Sequence, residues 1–182
     1  MYKKFDEFLD RQRVQSGLPT MDLEERKNQW LADLDRLYRT IDSFLRPYIQ
    51  DHRLVALSFH SAITEEQLGK YNVETMRIGL QGDGNAQAEL VPVGTFVIGA
   101  RGRVDLVGPT GKTVKLLLVN KNETRAGAKR QVFPANLHDG ATREAEGQAE
   151  WAWKIATPPP DLEYIEMNES SFLEALMYVL ER

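Results

Sequence analysis

The sequence predicts an α+β fold: a twisted antiparallel sheet of six to seven strands, packed against an N-terminal helix pair with one long member and against a C-terminal helix. Three observations carry this. Between residues 23 and 48 the apolar residues recur every three, four or seven positions, the spacing of a helix with one buried face. From residue 53 the apolar period drops to two, the period of a strand. The strand-like segments are joined by turns rather than helices, which makes neighbours antiparallel.

Taken in order, residues 3–14 set Phe5, Phe8 and Leu9 on one side of a short helix, and Gly17, Leu18 and Pro19 interrupt it. The second helix is predicted to open near Asp22, which with Glu25 forms a capping box with Asp in the Ser/Thr role. Leu23, Trp30, Leu34, Leu37, Tyr38, Ile41, Leu45 and Tyr48 make its apolar stripe. Pro47 has no amide hydrogen and disfavours helical geometry at Arg46, so the helix is predicted to stop or kink there.

In RLVALSFHSAI, Val55, Leu57 and Phe59 share one face of a strand, while Leu54, Ala56, Ser58 and His60 take the other. Thr64 then reads as the cap of a helical turn beginning at Glu65 and Glu66. VETMRIGL is a strand, QGDGN at 81–85 a turn, and AELVPV, TFVIGARGRVDLV and KTVKLLLVNK further strands. Gly94, Gly99 and Gly102 predict bulges or bends within them. Residues 122–149 show no period and read as a long loop. Strand structure returns in EWAWKIAT, with Trp151, Trp153 and Ile155 on one face, and after three prolines a short strand LEYIEM follows. The last helix runs from about Glu169 to Leu180 with Ser170 or Asn168 as its cap. The chain is therefore predicted to be one domain over 1–182: a helical segment at 1–50, the sheet at 53–166 with its loop at 122–149, and a helix at 169–181.

Composition narrows the function. An apolar share of 42% and a charged share of 27% are those of a soluble globular chain, and a net charge of −4 argues against a generally basic nucleic-acid binder. No cysteine is present, which excludes thiolate catalysis and cysteine-ligated metals. There is no signal-peptide core near residue 1 and no apolar run long enough to span a bilayer as a helix. The expectation is a cytoplasmic protein with no cofactor and no membrane association.

The segment VGPTGKT invites comparison with a phosphate-binding loop, G-x-x-x-x-G-K-[ST]. Five residues before Gly111 stands Leu106, not glycine, and a β-rich run follows where a helix is needed. A hairpin with a three-residue loop of Pro109, Thr110 and Gly111 fits better. It sets Leu106 opposite Val114, Val104 opposite Leu116 and Asp105 opposite Lys115, and gives glycine the left-handed bulge position. A two-residue turn would instead place charge against core.

The same hairpin, GRVDLV followed by LLLVNK, resembles the core of the PD-(D/E)xK nucleases over the span from Gly102 to Lys121. The resemblance implies a divalent-metal site with Asp105 as the first acid and Lys121 as the lysine. It departs from the motif at Val119, where the second carboxylate belongs, and a hard cation needs more than one oxygen ligand.

Other candidates are sparser. Arg101 and Arg103, alternating with Asp105, suit a phosphate or carboxylate ligand, or else a solvated sheet face with an Asp105–Lys115 pair. His52, His60 and His138 lie on different elements, with His60 placed where a carboxylate could tune it. Lys121, Arg125, Lys129 and Arg130, with Phe133, form the one local basic run. Trp30, Leu34, Leu37 and Ile41 on the long helix either bind a protein partner, including a second copy, or lie under the sheet. The function expected from all this is a non-enzymatic interaction or regulatory module that binds a protein partner or itself. The rival expectation is a metal-dependent nucleic-acid enzyme with a degenerate site at Asp105 and Lys121.

Overall fold

The structure is a computed structural model and describes residues 20–95, 97, 99–125, 150–158 and 162–181. The helix predicted over 3–14 and most of the 122–149 segment, including His138, Lys129, Arg130 and Phe133, lie outside the described residues. The elements are α1 (Thr20–Gln50), β1 (Leu54–Glu65), β2 (Gly69–Leu80), β3 (Asp83–Gly94), β4 (Gly102–Val107), β5 (Thr113–Asn120), β6 (Trp151–Ala156), β7 (Tyr164–Glu166) and α2 (Glu169–Leu180). The strands form one seven-stranded sheet in the order β1-β2-β3-β4-β5-β6-β7, every pair antiparallel. This is the α+β class with the antiparallel sheet the sequence predicts, at the upper end of the expected strand number, and the sequential strand order makes it a meander.

The main core lies between both helices and one face of the sheet. Trp30, Leu34, Leu37, Ile41 and Leu45 from α1 and Phe172, Leu176 and Val179 from α2 meet Ile78, Leu90, Leu106, Leu116 and Ile155 from the strands. Two glycines set how closely the helices approach. A Cβ on Gly102 would stand 2.3 Å from Cζ3 of Trp30, and one on Gly108 would stand 1.9 Å from the Val179 carbonyl oxygen. Any side chain there would lift a helix off the sheet. A smaller core of Val119, Ala156 and Tyr164, joined by Leu117, Leu162 and Ala100, sits on the opposite, outer face beneath β5–β7.

The 108–112 hairpin adopts the predicted register: Leu106 faces Val114, Val104 faces Leu116 and Asp105 faces Lys115. Gly111 has φ +85°, its amide donates to the Gly108 carbonyl at 3.1 Å, and the Gly108 amide donates to Lys112 at 2.9 Å. That is a type I turn closed by a left-handed glycine. No helix begins at Gly111, so the phosphate-loop geometry is absent. Asn168 is the cap of α2, accepting from the Ser171 amide at 3.0 Å while the Ser171 hydroxyl accepts from the Asn168 amide at 3.0 Å.

Two local expectations are corrected. Of the stop or kink expected at Pro47, the stop does not occur: the long helix continues through Pro47 to Gln50. Pro47 and Ser43, whose carbonyl loses its partner, both face solvent, so water satisfies the lost bond while Tyr48 and the core-packed Ile49 hold the last turn. Residues 64–66 do not start a helical turn. Strand β1 runs on to Glu65 and pairs with Gly69 across a tight connection in which Gly69 has φ +70°. The side-chain pairing along the whole β1–β2 hairpin outweighs the local capping signal of Thr64.

Candidate functional site

Strand β1 forms one edge of the sheet, and its only strand neighbour among the described residues is β2. It is 12 residues long, about 40 Å, twice the length of a common strand. From Leu54 to Thr64 it contains no Asp, Glu, Lys, Arg, Pro or Gly. Its two faces are unequal. In its first half Leu54 and Ala56 pack against the main core, whereas Leu57, on the outer face, is 61% exposed and Val55 beside it 36%; further along it is Ile63, of the same parity as Leu57, that packs against the core, and Glu65 that is buried. Phe59 is half-buried with the Arg77 guanidinium 5.0 Å above its ring. Val91 and Val93 of β3 are also exposed, so apolar side chains lie open on the outer face between β1 and β3.

The far end of β1 is firmly held. The buried Glu65 accepts from the Thr95 amide at 2.7 Å, from the Thr95 hydroxyl at 3.1 Å, and from the Tyr71 hydroxyl. Arg26 of α1 donates to the Thr95 carbonyl at 2.9 Å. Burial, and then the hydrogen bond to Glu65, push the Tyr71 phenol far above its usual range, so it stays a donor at every physiological pH. Gly94 lets the carboxylate approach, since a Cβ there would stand 2.5 Å from Glu65 Oε2. Beside this group lies a cavity of about 190 Å³ lined by Glu65, Glu66, Gln67, Val93, Gly94 and Val97. The carboxylate is engaged structurally, tying the β1–β2 tip to the exit of β3 and to α1.

The residues singled out in the sequence fall as follows. Trp30, Leu34, Leu37 and Ile41 are all within 2% of complete burial. The sheet covers the α1 stripe, so these side chains are core and not a partner-binding face. Asp105 and Lys121 are not brought together. Asp105 stands opposite Lys115 in the ladder, and Lys121 lies six residues further along, about 20 Å at strand spacing. Each has its own partner: Arg103 grips Asp105 with two bonds of 2.7 and 2.6 Å, and Lys121 pairs with Glu150 at 2.7 Å. Arg103 thus takes the aspartate that was expected to pair across the strands with Lys115, and that bond raises the Arg103 pKa further. Arg101 and Arg103 do not share a face. Arg101 turns under α1, where its Nε is 3.9 Å from Asp33 and its guanidinium lies 5.4 Å from the centroid of the Trp151 ring. His60 is exposed on β1 opposite Glu74. Among the described residues no three His, Cys, Asp or Glu side chains are grouped so as to hold a metal ion, and no helix is long and apolar enough to cross a membrane.

Three buried charged residues escaped the sequence. Besides Glu65 there is Lys154, 1% exposed, whose ammonium donates to the carbonyls of Lys121 at 2.7 Å and Glu123 at 2.9 Å and pairs with Glu166 at 2.7 Å. The third is Asp33, buried on α1 with Arg36 3.2 Å from one oxygen and Trp153 donating to its backbone carbonyl at 3.2 Å. Alternation in WAWKIA does put Lys154 opposite the tryptophans, but nothing local signals that another segment closes over it. Compared with known proteins, the chain matches no family model, and no curated protein or solved structure is significantly similar to it.

Proposed function

We propose that this protein is a non-enzymatic interaction module that binds a protein partner by accepting an additional strand along β1. One observation carries the reading: a 12-residue sheet edge, free of charged side chains from Leu54 to Thr64, without a strand neighbour on its outer side among the described residues. An open edge presents a row of unpaired amides and carbonyls and so templates an incoming strand. Strand addition draws affinity from those main-chain bonds and specificity from alternate side chains. Here Val55, Leu57 and Phe59 supply the alternate set, and Leu57 exposes most of its surface to meet it.

Site-specific photo-crosslinking in living cells tests this. A benzoylphenylalanine at position 57 is expected to give a covalent protein adduct. Thr113 is the control, because the pairing Leu57–Arg77–Glu89–Val107–Thr113 puts it on the same face across the sheet. An adduct at 57 and none at 113 supports the binding edge; no adduct at 57, or equal labelling at both, overturns it.

A further inference from the structure

We infer that the strand added to β1 is β1 of a second copy of this chain, paired antiparallel about a two-fold axis at Phe59. This rests on the reading of β1 as a binding edge and goes on to identify its occupant. Symmetry restricts the geometry. When two identical strands pair antiparallel, the axis stands perpendicular to the sheet, and directly opposite residues must project on the same face. The axis therefore passes through a residue, not between two.

Centring on Phe59 satisfies both faces. On one side of the strand it sets exposed Val55 level with half-buried Ile63 of the second copy, exposed Leu57 with half-buried Ser61, and Phe59 with itself. On the other side it sets Leu54 against Thr64, Ala56 against Ala62, and Ser58 against His60. Apart from Ser58 against His60, apolar side chains meet apolar or small neutral ones, and aromatic and β-branched pairs of this kind are those that stabilise sheets. Moving the axis to His60 would face two imidazoles against each other and set Leu54 against Glu66. The anchoring of Glu65 by Thr95 and Tyr71 fixes the far end of the edge, so less order has to be gained there on pairing. Pairing makes the two seven-stranded sheets continuous, with all four described helices on one side.

The absence of cysteine makes a disulfide scan decisive. Directly opposite Cα atoms in an antiparallel pair lie about 4.5–5.5 Å apart, inside the range of about 4.4–6.8 Å that a disulfide spans. Phe59→Cys is expected to oxidise to a covalent dimer. Leu57→Cys alone is expected not to, because its symmetry mate is displaced by four residues, about 14 Å. The double variant Leu57→Cys/Ser61→Cys bonds across copies without touching Phe59, and serves if Phe59→Cys is poorly folded. Light scattering on the unaltered chain is expected to give twice the 20.8 kDa of one chain. A doubled mass without cross-links at 59 or 57/61 overturns strand pairing in this register. A strict monomer overturns self-pairing altogether; if the position-57 photoadduct then contains a different protein, the binding edge stands without it, and if there is no photoadduct, both readings fall.

Discussion

The two edges of the sheet are finished in opposite ways. At one end, β7 is only three residues long, and the chain at 121–125 folds over it. Arg125 bridges Glu163, their side chains pair at 2.7 Å, and the Tyr164 amide donates to Thr124 at 2.9 Å. Lys154 fixes that flap from beneath through the Lys121 and Glu123 carbonyls. Shortness, charge and a covering segment are the means by which sheets avoid unwanted pairing. At the other end, β1 is four times as long, carries no charge from Leu54 to Thr64 and has no covering segment among the described residues. Among the described residues one edge is thus guarded, while the longer one is open and uncharged from Leu54 to Thr64, and the proposed binding edge rests on that contrast.

The largest expected effect lies on the guarded side. Lys154→Met removes the ammonium that satisfies two carbonyls and faces Glu166. Glu166 is well exposed and can be rehydrated, so the loss comes chiefly from the carbonyls, roughly 2–3 kcal/mol at the rate for charged hydrogen bonds. Urea denaturation should show it as a lower midpoint, with faster amide exchange at residues 121–125. An unchanged midpoint would mean that the guard does not depend on this lysine.

Next comes the anchored tip of the bare edge. Glu65→Ala orphans the Thr95 amide and hydroxyl and the Tyr71 phenol, and is expected to cost about 2 kcal/mol, read by the same denaturation. A much smaller loss would show β1 to be loosely held, and its exposure would then reflect fraying rather than presentation. Leu57→Lys sharpens the contrast from the other direction. The side chain is already exposed, so stability should change by no more than about 0.5 kcal/mol. Self-association in light scattering should fall, because the substitution places a charge in the apolar row.

How far the fold could be read from the sequence follows the same division. Where a pattern is local it was legible: the α1 stripe, the alternation in β1, the turn chemistry of Gly108–Lys112 with its register, and Asn168 as one of two possible caps. Burial of Trp30 could not be read, since the α1 stripe fits a sheet or a partner equally, and what decides is Gly102 opening room for the indole. Lys154 and Glu65 were illegible for one reason. Each is buried by a segment distant in sequence, so its neighbours in the chain assign it to solvent. The open edge was visible as composition, an uncharged run at 54–64, but only the strand order shows that β1 lies outermost among the described strands.

The smallest effect is a pH slope, again on the guarded side. Burial raises the pKa of Asp33 above its ordinary 3.8, with Arg101 and Arg36 pulling the other way. The folded chain then holds this proton more tightly than the unfolded one, so stability falls as pH rises from 3.8 through the folded value and is level beyond it. Asp33→Asn cannot lose the proton. Its melting temperature should equal that of the unaltered chain in strong acid and exceed it at neutral pH, the difference opening across that window while slopes from all other groups cancel. A difference of opposite sign would mean that the ion pairs with Arg36 and Arg101 outweigh desolvation. Because Asp33 lies beneath Trp153 and Arg101, far along the sheet from β1, the Phe59→Cys cross-link should be indifferent to the substitution, which separates the proposed binding edge from the side that holds the fold.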